Sequence, residues 1–158
     1  MKGFVVAEMG HVVQLVAPVD ITGGVTAQRF NMKNYQHATI IVQGGVSAAA
    51  FTKIILKACQ DASGTGAAAI AFNVYKQETA GAANDVLSAR TPVTSAGLTP
   101  SAADGIFYVI ELDANELPDG SPWVEVDLTN GANSVIASAV AILSGARYAE
   151  TQSPTVTS

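Results

Sequence analysis

Residues 104–129 read DGIFYVIELDANELPDGSPWVEVDLT. Ile106, Tyr108, Ile110 and Leu112 alternate with Phe107, Val109, Glu111 and Asp113, and Val124, Val126 and Leu128 alternate with Trp123, Glu125 and Asp127. A period of two sends successive side chains to opposite faces of a strand. Between the two runs Asp119-Gly120 signals a turn, and Pro118 and Pro122 cannot donate to a hydrogen-bond ladder. The stretch therefore reads as a β-hairpin. It also holds seven of the chain's thirteen acidic residues, which makes its carboxylates the first candidates for chemistry.

Their spacing argues against a catalytic or metal constellation. Asp113 and Asn115 begin like a calcium loop, but an EF-hand would need an oxygen ligand at 117 and glycine at 118, where this chain has Leu117 and Pro118. An irregular calcium site within 111–119 is the alternative. Glu125 and Asp127 share one face of one strand and are expected to project side by side into solvent, whereas a glycosidase pair must face across a cleft. The acids read as a solvated outer face and its turn.

The same rhythm runs through the rest of the chain. Alternation recurs at 51–59, 70–75 and 123–128, while HATIIVQ (37–43) and VIASAVAIL (135–143) are more uniformly apolar, as central strands are. Turn clusters rich in Gly, Asn, Asp and Ser separate these runs. The expected fold is all-β: a single β-sandwich or jelly-roll-like domain over 31–149, preceded by an extended arm with a strand or two (1–30) and followed by a flexible tail (150–158).

Other motifs fail on context. Gly64-Thr65-Gly66-Ala67-Ala68-Ala69 satisfies G-x-G-x-x-A, with Asp85 downstream as a dinucleotide fingerprint would want. That fingerprint requires a helix to open at its third position, and AIAFNVYK alternates as a strand, so GTG reads as the bend of a hairpin. His11, His37 and Cys59 are the only soft ligands and no two stand at metal spacing. No G-x-S-x-G elbow is present. The residues assign no catalytic, cofactor or metal site, and the chain is not expected to be an enzyme.

Composition points toward assembly. The 158 residues are 49% hydrophobic and only 13% charged, about half the usual charged share. So little charge leaves surface for other protein to cover. The formal net charge of −5, with eight scattered basic residues, argues against a nucleic-acid surface. Glu8, His11 and Gln14 interrupt the apolar opening too often for a signal peptide, and no run is long enough to cross a membrane as a helix. A chain made in the cytoplasm and not secreted is expected.

Phe107 and Val109 oppose Tyr108 and Ile110, and Trp123 opposes Val124 and Val126, so both sides of these strands are apolar. The outward set, Phe107, Val109 and Trp123, is covered either by a second sheet or by a neighbouring subunit.

The segments NMKNYQHATIIVQGGVS (31–47), ACQDASGTGAAAIAF (58–72), GIFYVIELDANELPDG (105–120) and SVIASAVAILSGARYA (134–149) together resemble a group of small tailed-phage virion proteins. The likeness covers most of the chain from about 15 to 150 and rests on several modest motifs. It implies a structural subunit of the virion, of the capsid decoration or cement type, on the capsid exterior. Its implied partners are the major capsid protein and further copies of the chain, as a dimer or trimer. On that reading the arm lies along the capsid by strand addition, anchored by Phe4, Val12, Val13 and Leu15. A place in the tail or head-tail joint is the nearest alternative. A β-sandwich module binding carbohydrate or another ligand is the alternative from a different class, and it would need a platform built from Trp123 and the tyrosines.

Overall fold

Alternation requires each strand to bury one face, and a sandwich does this by setting two such faces against each other. The computed structural model of the chain describes residues 3, 5–78, 86–147, 155 and 156. A short helix, α1 (Val6–Met9), precedes eleven strands: β1 (His11–Asp20), β2 (Val25–Thr26), β3 (Phe30–Asn31), β4 (Tyr35–Ser47), β5 (Lys53–Cys59), β6 (Ala68–Ala69), β7 (Phe72–Gln77), β8 (Thr91–Val93), β9 (Phe107–Asp113), β10 (Trp123–Thr129) and β11 (Val135–Ala146). They form two antiparallel sheets. One has six strands in the order β1-β11-β4-β9-β7-β8, and the other runs β2-β10-β5-β6 with β3 also paired to β10. The fold is a β-sandwich.

The core is the meeting of the two inner faces. From the six-stranded sheet come Ile40, Val42, Tyr108, Ile110 and Leu112, and from the other Ile54, Leu56, Val124, Val126 and Leu128, all fully buried in one cluster. Ladder register aligns them, with Ile40 opposite Ile110 and Val126 opposite Leu56. Tyr108 brings a hydroxyl into this core, and it donates to Glu78 Oε1 at 2.7 Å.

The 104–129 stretch is not a hairpin. β9 pairs with β4 and β7, whereas β10 pairs with β5, β2 and β3 in the opposite sheet. A hairpin would have left both apolar faces on one side of one sheet. Crossing the sandwich instead lets the inner face of β9 meet the inner face of β10. The corner is held by a 3-10 turn at Ala114–Glu116, closed by a capping box in which Glu116 accepts from the Asp113 N–H at 2.9 Å. Leu117 then packs on the core, and the two prolines keep the ladder from continuing.

The GTG bend is likewise more than a hairpin turn. β5 returns only as the two-residue β6, after which the chain leaves through Ile70 and Ala71 to enter the other sheet as β7. No helix opens there, and Asp85 lies outside the described residues. Gly64 has φ +85, a left-handed conformation that favours glycine, and the Arg29 guanidinium lies directly over it.

The expected arm is also corrected in part. Residues 11–20 are a full strand paired with β11 from His11↔Leu143 to Asp20↔Ile136. Its ladder to β11 occupies one side of the strand, and the other side is an edge of the six-stranded sheet. Register shifts interrupt β1, and Pro92 occupies β8, which blunts both edges of the six-stranded sheet. Of the tail, the described residues are Thr155, which is buried and accepts from the Asn31 N–H, and Val156, which packs on the core.

Truncating a residue at the centre of the inner face should leave a cavity that the flanking strands cannot close. Ile110→Ala is expected to cost about 2–5 kcal/mol, measured by urea unfolding, whereas Ile110→Val should cost about 0.5–1.5 kcal/mol.

Candidate interaction surface

The parity that buries Tyr108 and Ile110 turns their neighbours outward. Ladder register then lines these neighbours up across the six-stranded sheet. Val140 lies opposite Ile41, Ile41 opposite Val109, and Val109 opposite Tyr75, which makes one continuous row. Phe107 stands between Gln43 and Gln77 in the next row. On the other side Val12, which is half exposed, pairs with Ile142, and Ile142 with Thr39. The result is a broad face with an apolar centre and uncharged polar flanks. No strand of the second sheet covers it.

Charge on this face is confined to its two ends. The outward positions of its strands carry no lysine or arginine. Glu111 and Asp113 are both engaged by His37, whose Nε2 lies 2.7 Å from Glu111 Oε2 and whose Nδ1 lies 2.7 Å from Asp113 Oδ1. Thr39 Oγ1 also donates to Glu111 Oε2 at 2.7 Å. Asp20, at the far end of β1, accepts from Thr22, Ser134 and the Val135 N–H, and these bonds hold its carboxyl down to about 2. The two His37 contacts use opposite edges of the ring, so the carboxylates do not converge on one point where an ion could sit. Among the described residues no group of three His, Cys, Asp or Glu side chains is arranged to hold a metal.

Burial opposes a charge on His37 more strongly than any single other effect. The hydrogen bonds and charges of Asp113 and Glu111 together outweigh it, and the imidazole is held above its ordinary value. His37 thus favours the protonated, bridging state. No spacing rule could reveal this cluster, because its members are far apart in sequence.

The outer face of the second sheet is different. Lys57 lies opposite Glu125 in the ladder, and its ammonium contacts Glu125 Oε1 at 3.2 Å and pairs closely with Asp127. Arg29 pairs with Glu125 from the other side, and its Nη1 donates to the Ala62 carbonyl at 3.3 Å. Glu125 is only 3% exposed and Asp127 8%. The expectation that these two acids stand in solvent is therefore wrong. Two cations fold over them, and paired charge offsets much of the desolvation that burial imposes. The hydrogen bond to Asp127, with that to Glu125, outweighs burial and raises the Lys57 ammonium above its ordinary value. The alternation of Lys53, Ile55 and Lys57 in KIILKAC was the available signal for this ladder.

The residues singled out in the sequence fall in separate places. Phe107 and Val109 lie half-buried on the outer face of the six-stranded sheet, so the second sheet does not cover them. Trp123 lies on the outer face of the other sheet, opposite Cys59 and Asn31, and does not join them. Of the arm anchors, Val13 and Leu15 point into the core and cannot grip a capsid, Val12 is exposed on the outer face, and Phe4 lies outside the described residues. Parity missed Ile41, Val140 and Tyr75 only because their strands had no assigned neighbours. His11 stacks on Tyr35, their ring centroids 5.8 Å apart.

Among the described residues no aromatic platform is assembled. Tyr35 and Tyr108 are buried, Tyr75 and Trp123 occupy opposite outer faces, and Tyr148 lies outside the described residues. A cleft of about 470 Å³ beside the β9–β10 corner is lined by Met32, Lys33, Gln60, Leu117 and Arg147 among others, with no aromatic ring.

Three outcomes are expected here. Because the folded pKa of His37 is raised, its stabilising contribution is complete below the unfolded value of about 6.5 and is lost as pH rises through the folded value. Urea midpoints taken across that window should fall with pH in the parent and less so in His37→Gln. Glu125→Gln, which leaves Lys57 and Arg29 without their shared partner, should cost about 3 kcal/mol, the low end for breaking a buried pair because both cations keep some solvent access. Calcium should not move the melting temperature of the parent or of Glu111→Gln/Asp113→Asn, and a large calcium-dependent rise would show that the acids gather around an ion.

Compared with protein-family models and with curated proteins, the chain matches neither.

Proposed function

We propose that this chain is a non-enzymatic structural subunit of a phage particle, a capsid decoration protein that stabilises the shell by bridging coat subunits. The observation that carries the reading is the outer face of the six-stranded sheet. A large sheet with an apolar row across its middle and no outward lysine or arginine is poorly suited to permanent contact with water, and well suited to contact with protein. The low charged share of the whole chain and the likeness of its segments to small virion proteins point the same way.

The arm expected from sequence is reduced: β1 pairs with β11 along one side, and Val13 and Leu15 belong to the core. The surface covered by protein is instead a preformed sheet face, which loses little conformational entropy on docking. Each bound copy adds contact area that exists only in the closed shell, and so raises the free energy needed to open it.

Particles of the phage that encodes the chain supply the test. Peptide mass spectrometry of purified, salt-washed particles should find the chain in fixed proportion to the coat protein. Particles stripped of it should release their genome at a lower temperature, and purified protein added back should restore the loss. Its absence from washed particles, or unchanged heat resistance after stripping, would overturn the reading.

A further inference from the structure

We infer that the outer face of the six-stranded sheet is the seat of a second copy of this chain, packed face to face about a two-fold axis. The inference rests on the proposed function and names the occupant of the surface described there.

Charge is the first argument. In a two-fold contact a patch meets itself, so any unpaired charge on it meets a like charge. This face keeps its centre free of charge. Glu111 and Asp113 stand at one end, bridged by His37, Asp20 is bound by its own turn at the other, and Lys76 of β7 lies opposite Tyr108 of β9 on the inward side. A partner of another kind would be expected to find a charge to complement, and the centre of the face offers none. The flanking Thr39, Gln43, Asn73 and Gln77 can both donate and accept, which lets them meet their own kind.

Area is the second. Six strands about 4.8 Å apart, over about seven residues of 3.3 Å each, make a face of about 600–700 Å². A stable interface buries about 800 Å² per partner. β1, β11 and β4 extend well beyond that shared length, and the exposed Ile136 and Val46 continue the apolar surface along them. One face packed on its copy therefore reaches the size that a stable dimer needs. At its centre Val140, Ile41 and Val109 supply an unbroken apolar row, with Phe107, Ile142 and Val12 around it.

The consequence for the particle is bivalency. A two-fold dimer presents two identical sets of remaining surfaces, so one decoration unit can hold two coat subunits at once.

Light scattering on a sizing column, with the full chain over a range of concentrations, is the first measurement. The parent should run at twice the chain mass, and Val109→Lys at the single mass with an unchanged circular dichroism spectrum. If Val109→Lys does not fold, Val109→Thr should raise the dimer dissociation constant at least tenfold. A parent that stays monomeric at every concentration, or a dimer indifferent to these substitutions, overturns the inference. Rebinding to stripped particles separates this failure from that of the function. A monomeric parent that rebinds, while Val109→Lys does not, gives the face to the coat protein and leaves the structural role standing. A parent that does not rebind removes the structural role itself.

Discussion

Everything in this molecule follows from the meeting of the inner faces of β9 and β10 across the sandwich. Tyr108, Ile110 and Leu112 on one side and Val124, Val126 and Leu128 on the other are fully buried, and a short corner braced by Glu116 and two prolines joins them. Once those residues point inward, the period of two leaves no choice about the rest. Phe107, Val109, Glu111 and Asp113 must form part of one outer face, and Trp123, Glu125 and Asp127 part of the opposite one.

That division sorts the charges. The five-stranded sheet carries the outward cations Lys57 and Arg29, which close over Glu125 and Asp127, and Arg29 lies over the Gly64 turn. The six-stranded sheet carries an apolar row, with a bridged acid–histidine corner at one end and Asp20 at the other. One exterior is thus solvated by charge, and the other is the face that the proposed function covers with protein. Such asymmetry costs solubility in isolation, and it is tolerable in a subunit whose bare face is covered in its working state.

Strand existence and parity were legible because alternation is a local property. Ile106 to Asp113 and Trp123 to Thr129 could be assigned correct inward and outward sides from the sequence. Partner choice was not legible. The same alternation and the same Asp119-Gly120 turn suit a hairpin or a crossing between sheets, and only the need to oppose two apolar faces decides it. The fate of Glu125 and Asp127 turned on Lys57 and Arg29, which reach them through ladder register and a side chain arching over a loop, neither of which spacing encodes. The arm failed for a related reason. Val13 and Leu15 look like free anchors until β11 is known to pair with β1, and that pairing joins opposite ends of the chain.

The central claim is that the outer face of the six-stranded sheet is covered by protein in the working state. A density map of purified particles, at a resolution that separates strands, tests it most directly. The account predicts the sandwich on the shell with the Val140–Ile41–Val109 row in contact with protein. A sandwich seated on the shell with that row facing open solvent would contradict it.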